Sequence, residues 1–316
     1  MEANVDRPWP ARLALGAWLS ALPLVVLGGT VTTLRAGMAI DGWWVLDRGN
    51  GDHFLLAYPV EKWFANAGTF AEHAHRLCGT LVGLFSIAYV VAAHRARVGG
   101  VRIAWAWIGL FAVCLQGTIG GLRVLENSPD LAFLHGALAQ AVLAVLAANL
   151  VMSRPSRDDA TSIVHERGGA LRRASKLAVA AVYAQIVLGA WLRHSGNDFA
   201  LVAHIGFAAL ASGAIVVLAR DLRECGDAKF AARAWQLLAL LIVQLGLGLL
   251  ALLAIVLVSG GFTREVSTAE AVSATAHVLF GAFVLQAAVA AAMAIHRRFE
   301  PTPLAAAPAP SLEGAR

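Results

Sequence analysis

Long apolar stretches alternate with short polar and charged segments along the whole chain. The apolar stretches are each about 20 residues long, the length that an α-helix needs to cross the hydrocarbon core of a bilayer. The pattern therefore predicts a bundle of membrane-spanning helices. We predict eight spans, named the first to the eighth in chain order, over residues 13–33, 71–93, 101–121, 131–152, 177–193, 200–219, 234–258 and 272–295.

The composition agrees with this pattern and excludes several classes of protein. The 316 residues are 59% hydrophobic and 14% charged, whereas soluble globular proteins carry about 25% charged residues. A soluble enzyme, a disordered chain and a nucleic-acid-binding protein are therefore excluded, despite a net charge of +5. The three cysteines have spacings typical of neither a disulfide framework nor a metal site. The predicted fold class is all-α integral membrane.

Basic residues predict how the chain is oriented. Lys and Arg bias a loop towards the cytoplasm, and 18 of the 25 lie in segments on the same side as the two termini. We expect both termini in the cytoplasm. We also expect a bacterial plasma membrane, because Glu2 and Asp6 are unlike an Arg-rich, acid-poor presequence. On the opposite side, residues 34–70 form one long segment, the outer loop, whose aromatic residues suit either the membrane interface or a lid over a site.

The two halves of the chain repeat one order of features. Leu27-Gly28-Gly29 in the first span resembles Leu188-Gly189-Ala190 in the fifth, and Gln116-Gly117 in the third resembles Gln244-Leu245-Gly246 in the seventh. An even number of spans in each half gives both halves the same orientation. The sequence thus predicts two pseudo-symmetric four-helix bundles in tandem. The predicted units are an N-terminal bundle over 1–152, a cytoplasmic linker over 153–176, a C-terminal bundle over 177–295 and a cytoplasmic tail over 296–316.

Histidines within the spans are the main candidates for function, because an ionisable group in hydrocarbon is costly. Four of the ten histidines lie about one turn below the outer end of an even-numbered span, each with a small residue four positions later on the same face. Most of the others, His194 among them, are expected to be solvated in loops or at span edges. His73 is expected on another face of the helix, as a surface or interface residue. The four candidates are His75, His135, His204 and His277.

Two imidazoles that face each other across a four-helix bundle can hold a haem iron as axial ligands. Pairing within each half joins His75 to His135 and His204 to His277, which predicts two haem sites. Zinc or copper is a weaker alternative, because no cysteine, methionine or third histidine shares the layer.

The two predicted sites differ in their neighbours. Glu72, His75 and Arg76 are spaced i, i+3 and i+4, so they lie on one helical face. The residues beside His204 include neither an acid nor a base. This asymmetry indicates chemistry in the N-terminal half and electron transfer in the C-terminal half. The alternative for Glu72 is a structural ion pair with Arg76.

The same residues resemble a motif of the haem A synthase family. Glu72-His73-Ala74-His75-Arg76 is similar to the family's E-x-x-H-R motif, and the resemblance extends over roughly residues 15–295. Other similar stretches are Gly28–Ala39, Asp41-Gly42-Trp43 and Leu115-Gln116-Gly117. Many bacterial members carry a cysteine pair in the first outer loop, whereas the outer loop here contains no cysteine. The resemblance is therefore to the branch without these cysteines.

The resemblance implies an activity and a set of site residues. Members of the family oxidise the C8 methyl group of haem O to a formyl group, which gives haem A for cytochrome oxidase. The implied site consists of Glu72 as the catalytic carboxylate, His75, His135 and Arg76 around the substrate haem O, and His204 and His277 as iron ligands of a haem b cofactor. Arg35 and Arg123 are further candidates for binding haem propionates.

The resemblance also implies partners. These are a haem O synthase (protohaem farnesyltransferase), cytochrome oxidase assembly factors and the lipid bilayer, and the chain could also form a homo-oligomer. Two alternative functions stay open. One is a membrane electron carrier of the cytochrome b561 type, although such carriers usually hold haems near both membrane faces. The other is a haem-binding carrier or regulator without catalytic activity.

Overall fold

The computed structural model describes residues 8–34, 36–154, 165–258 and 266–300. Within these ranges, eight helices are long and apolar enough to cross a membrane, as the hydropathy pattern predicts. The spans are Trp9–Thr33, Ala67–Ala96, Gly100–Leu125, Pro129–Ser153, Gly168–Ser195, Asp198–Glu224, Ala228–Leu253 and Thr268–Arg298. The seventh span continues as a π-helix over Ala254–Val258.

Most of the helices extend beyond the apolar windows that predicted them. The fifth span begins at Gly168, nine residues before the predicted position 177. Hydropathy detects only apolar residues, whereas backbone hydrogen bonds continue the helix through polar residues such as Arg172 and Lys176. The last part of the predicted linker is therefore helical. Residues 155–164 of the linker and 301–316 of the predicted tail lie outside the described residues.

The four helices that carry the candidate histidines each begin at a polar N-cap. The cap side chain accepts a hydrogen bond from a backbone N–H in the first turn, and replacing such a cap with alanine typically costs about 1 kcal/mol. The caps are Asn66, Ser128, Asn197 and Ser267. The histidines follow their caps by seven to ten residues, roughly 10–15 Å along the helix axis. They lie two to three turns below the helix start rather than the predicted one, because the helices begin before the apolar windows.

Each half forms a closed ring of four helices. The first span packs on the second, the second on the third, the third on the fourth and the fourth on the first, and the fifth to eighth spans repeat this order. The two rings meet where the first span packs on the eighth, and the fourth on the fifth and eighth. This is the predicted arrangement of two four-helix bundles in tandem.

Directional polar contacts join the two halves in addition to this packing. The indole N–H of Trp18 in the first span donates to Oε1 of Gln286 in the eighth, at 2.6 Å. Arg193, near the end of the fifth span, donates to the carbonyl oxygen of Gly29 at 2.6 Å and to the hydroxyl of Thr33. Hydrogen bonds of this kind fix the rotation of the contacting helices as well as their separation.

The outer loop is folded and has a small core of its own. It contains strand β1 (Val45–Leu46) paired antiparallel with β2 (His53–Phe54), a 3-10 turn over Leu55–Ala57 and one helical turn over Val60–Trp63. Its buried side chains are Ile40, Leu46, Leu55 and Tyr58, with Trp63 packed against them. Burial raises the pKa of the Tyr58 phenol, and the neighbouring carboxylate of Asp47 raises it further.

Candidate functional site

The candidate histidines face each other in two pairs. The ring centroids of His75 and His135 are 6.3 Å apart, with the ring planes inclined at 70°. Those of His204 and His277 are 6.1 Å apart, with the planes at 82°. Each pair crosses its own bundle, from the second span to the fourth and from the sixth to the eighth.

This spacing fits an iron held between two imidazoles. A metal–imidazole bond is about 2 Å long and the ring centre lies about 1 Å behind the nitrogen, so two axial ligands have centroids roughly 6 Å apart. In the described part of the chain, no group of three or more His, Cys, Asp or Glu residues could hold a metal ion. Two facing ligands leave the equatorial positions open, as a porphyrin requires.

Polar contacts with the preceding span orient all four rings. The Nδ1 of His75 and that of His277 each lie within hydrogen-bond distance of a backbone carbonyl of the preceding span, and the Nδ1 of His135 and that of His204 each lie beside the side-chain amide of a glutamine there. Ligand histidines commonly use their second ring nitrogen in this way. The carbonyl of Leu24 lies 3.0 Å from Nδ1 of His75 and that of Gln244 lies 3.2 Å from Nδ1 of His277. The amide nitrogen of Gln116 lies 3.0 Å from Nδ1 of His135, and that of Gln185 lies 3.1 Å from Nδ1 of His204.

A glycine on the preceding span lies behind each ring. A Cβ built on any of these glycines would lie 2.6 to 2.9 Å from the ring carbon Cε1, closer than real Cβ contacts. The pairs are Gly28 with His75, Gly120 with His135, Gly189 with His204 and Gly248 with His277. Each glycine follows by four residues the residue that contacts Nδ1, so both lie on one helical face.

Sequence reasoning found only part of this arrangement. It matched Gly117 with Gly246, whereas the rings contact Gly120 and Gly248. Among the described residues, no atom lies within 4 Å of a Cβ built on Gly117 or Gly246. The glycines that contact the rings share a sequence signal. It is a Q-x-x-x-G spacing in the third, fifth and seventh spans and L-x-x-x-G in the first.

Replacing Gly248 with alanine is expected to lower haem binding at the His204–His277 pair by about tenfold or more, because the added methyl group would displace the His277 ring. The haem content of the purified protein, measured by absorption spectroscopy, tests this. Gly246→Ala, two residues away on the same helix, should retain wild-type haem. Equal losses in both variants would show that helix packing, not the ring contact, causes the effect.

Glu72 is 2% exposed, and its hydrogen bonds connect the outer loop to the second span. Its Oε1 accepts a hydrogen bond from Arg76 at 2.6 Å, and its Oε2 accepts one from the backbone N–H of Ile40 at 3.0 Å. Arg76 also donates to the carbonyl oxygens of Ile40 and Gly42, at 2.9 and 2.8 Å. Gly42 has φ +82°, a left-handed conformation that favours glycine. Both carboxylate oxygens are thus already engaged as acceptors, and the ion pair with Arg76 considered from the sequence is present.

Other basic residues near the outer ends of the spans have different surroundings. Arg123 donates to the carbonyl oxygen of Gly37 at 3.3 Å, so it reaches the outer loop from the third span. Arg35 lies outside the described residues.

Two further histidines, His73 and His194, lie at packed boundaries. His73 is 3% exposed, and its ring lies 4.9 Å from that of Tyr58 and 5.0 Å from that of Trp63, beneath the outer loop. His194, predicted to be solvated, is only partly exposed: its Nε2 lies 3.1 Å from a Cβ built on Gly136. His194 thus lies at the end of the fifth span, as the sequence predicts, where the fourth and fifth spans pack together.

Comparison with known proteins adds an independent observation. The family model described as cytochrome oxidase assembly protein (COX15-CtaA) matches residues 11–206, which include Glu72, His75, His135 and His204. A heme A synthase from Symbiobacterium thermophilum is 33% identical over 123 residues, 36% of this chain and 38% of the relative. A heme A synthase from Chelativorans sp. is 31% identical over 136 residues, 42% of this chain and 37% of the relative. The chain thus aligns with less than two fifths of the length of each relative.

Proposed function

We propose that this chain, which belongs to the COX15-CtaA family of cytochrome oxidase assembly proteins, is a haem A synthase. It would oxidise the C8 methyl group of haem O to a formyl group within a bacterial plasma membrane, with both termini in the cytoplasm. The observation that carries the proposal is the pair of imidazoles in each half, with ring centroids 6.3 and 6.1 Å apart. A haem O synthase would supply the substrate, and the haem A formed would be inserted during oxidase assembly.

We assign the N-terminal pair to the substrate. His75 and His135 would bind the iron of haem O, whose long isoprenoid tail can remain among apolar side chains and lipid instead of entering water. Arg76 and Arg123 lie at the outer edge of this site, and arginines there suit the carboxylates of the haem propionates. Arg35 is proposed for the same task from its position in the sequence.

Glu72 would stabilise positive charge that develops at the methyl carbon. Its two oxygens already accept hydrogen bonds from Arg76 and from the backbone of Ile40. Accepting a proton would neutralise the carboxylate in its ion pair with Arg76, so the geometry favours a fixed negative charge over a general base. Such a charge acts strongly where water is excluded and the effective dielectric constant is low.

We assign the C-terminal pair to a resident haem b, ligated by His204 and His277. When bound, haem b supplies electron transfer and removes electrons released by oxidation of the methyl group. The protein contributes the orientation of the two rings, through the contacts of Gln185 and Gln244 at Nδ1 and the glycines behind the rings. The residues next to His204 include no acid or base, which suits an electron-transfer site.

Co-expression with a haem O synthase, followed by mass analysis of the extracted haems, tests the proposed function. We expect haem A only when both proteins are present, with cells expressing the haem O synthase alone as the control. An electron carrier of the cytochrome b561 type would contain unmodified haem b, and a haem carrier or regulator would retain haem O unchanged. Either result would contradict the proposal. The matched depth of the four histidines argues against a carrier that needs haems near both faces.

A further inference from the structure

Arg193, in the fifth span, places a positive charge close to the C-terminal histidine pair. It follows Gly189 by four residues, so both lie on one helical face. A Cβ built on Gly189 would lie 2.9 Å from Cε1 of His204, so Arg193 lies one helical turn beyond the contact with this ring. Its guanidinium reaches the first span, where it donates to the carbonyl oxygen of Gly29 at 2.6 Å.

The other ligand of this pair, His277, is also close to the guanidinium. A Cβ built on Gly29 would lie 3.0 Å from the side chain of Thr275, so the eighth span contacts the first at the residue that binds Arg193. Thr275 lies two residues before His277, and the His277 ring is within electrostatic range of Arg193. The charge is therefore near both ligands of the C-terminal pair.

The repeat of the two halves does not require a cation at this position. Each of four spans has a glycine behind a ring, and the residue four positions later lies on the same helical face. That residue is Thr32 in the first span, Val124 in the third and Leu252 in the seventh. Of the four residues, only Arg193 is charged.

The hydrogen bonds of Arg193 do not require a charge either. Its acceptors, the carbonyl oxygen of Gly29 and the hydroxyl of Thr33, are both neutral. The Gly29 carbonyl also accepts a hydrogen bond from the Thr33 hydroxyl at 2.9 Å, so it has a partner without Arg193. An ionisable side chain within a span is costly and usually has a function. The positive charge itself therefore needs an explanation.

A fixed positive charge affects the reduction potential of a nearby haem. Ferric haem gains one electron and loses one positive charge when it becomes ferrous, so a cation beside it favours the ferrous form. We propose that Arg193 raises the reduction potential of haem b in the C-terminal half. Haem b would thereby become a better acceptor for electrons released at the N-terminal pair. The inference rests on the proposed function.

Glu270 provides an independent change of the same local charge. It lies in the first turn of the eighth span, and its carboxylate is within electrostatic range of Arg193. Its negative charge opposes the effect of the guanidinium on a nearby haem. Neutral substitutions of Glu270 and Arg193 should therefore shift the potential of haem b in opposite directions.

A redox titration of the purified holoprotein, followed by its absorption spectrum, measures the potential of haem b separately from activity. At a fixed applied potential, Arg193→Gln should lower the ratio of ferrous to ferric haem b about tenfold, the effect of removing a unit charge roughly 10 Å away. This is a shift of about 59 mV to lower potential for a one-electron couple. Arg193→Lys keeps the charge but not the guanidinium geometry, and its potential should stay close to that of the wild type.

Arg220→Gln is the matched control, because it removes the same charge far from the haem. Arg220 has a side chain that is 61% exposed, and it lies 16 residues after His204, about 24 Å along the sixth span. Its potential should be that of the wild type. Thr33→Val removes an acceptor of Arg193 but no charge, so it should also leave the potential unchanged. Glu270→Gln should raise the ratio of ferrous to ferric haem b.

An unchanged potential in both Arg193→Gln and Glu270→Gln, in protein that binds haem b, would overturn this inference and leave the proposed function intact. Equal shifts in Arg193→Gln and Arg193→Lys would also overturn it, since the geometry of the side chain would then explain the result. A lower potential in Glu270→Gln would contradict the sign of the effect, even if Arg193→Gln does not retain haem. Wild-type protein purified without haem from a haem-replete host would overturn both the proposed function and the inference.

Discussion

Glu72→Gln is expected to reduce haem A formation by about a hundredfold or more while haem remains bound at both histidine pairs. Glutamine can still accept the hydrogen bond from the backbone of Ile40, so the substitution removes the negative charge and keeps much of the contact with the outer loop. Glu72→Ala is a poorer test, because leaving Arg76 buried without its partner would cost about 3–5 kcal/mol. The measurement is mass analysis of extracted haems, with the Soret absorbance of the purified protein as the measure of binding.

The variant Arg76→Lys tests whether Glu72 acts through its negative charge or by attaching the outer loop to the second span. Lysine keeps a positive charge beside Glu72 but cannot reproduce the forked contacts with the carbonyl oxygens of Ile40 and Gly42. We expect a smaller loss of haem A than in Glu72→Gln. Wild-type output from Glu72→Gln would contradict the role of the charge. Equal losses in the two variants would show that attachment of the loop is the main contribution.

Alanine substitutions of the four histidines should divide into two classes. His204→Ala and His277→Ala remove an axial ligand from the C-terminal pair, so the purified protein should lose haem b and produce no haem A. His75→Ala and His135→Ala should retain haem b and also fail to produce haem A, because only the substrate site is damaged. When one of two facing histidines is removed, the remaining histidine cannot complete the coordination of the haem iron by itself.

The ratio of haem b to protein, measured by the pyridine haemochrome method, distinguishes the two classes. Loss of haem b in the His75 and His135 variants, with retention in the other two, would reverse the assignment of the halves. Retention of haem b in all four variants would exclude these residues as its ligands. His73→Ala is a useful control, since this buried histidine packs against Tyr58 and Trp63, not against another candidate ligand.

The sequence predicted the spans and the pairing of the histidines because both depend on local patterns. A run of about 20 apolar residues identifies a membrane-spanning helix without knowledge of its neighbours. The position of His75, His135, His204 and His277 within their spans fixed a common depth, and the repeat of the two halves assigned them to pairs. The same reasoning placed the histidines about one turn too close to the helix ends, because the apolar windows begin after the helices do.

The contacts around the rings could not be predicted in the same way, because they depend on how each helix is rotated against its neighbour. Gly120 faces His135, whereas a Cβ built on Gly117, one turn earlier, has no neighbour within 4 Å among the residues that the structure describes, and hydropathy does not distinguish the two. The enclosure of His194 depends on the packing of the fourth span against the fifth. The attachment of the outer loop joins Glu72 to Ile40, 32 residues apart in the chain, and no short motif encodes such a contact.

The absorption and electron paramagnetic resonance spectra of the purified protein test most directly whether paired imidazoles bind iron porphyrin. We predict a Soret band and a low-spin ferric signal with a large principal g-value, since ligand planes inclined at 70° and 82° bring two iron d orbitals close in energy. The signal should disappear from the C-terminal site in His204→Ala. Protein from a haem-replete host with no Soret band, or with only high-spin iron, would contradict the account.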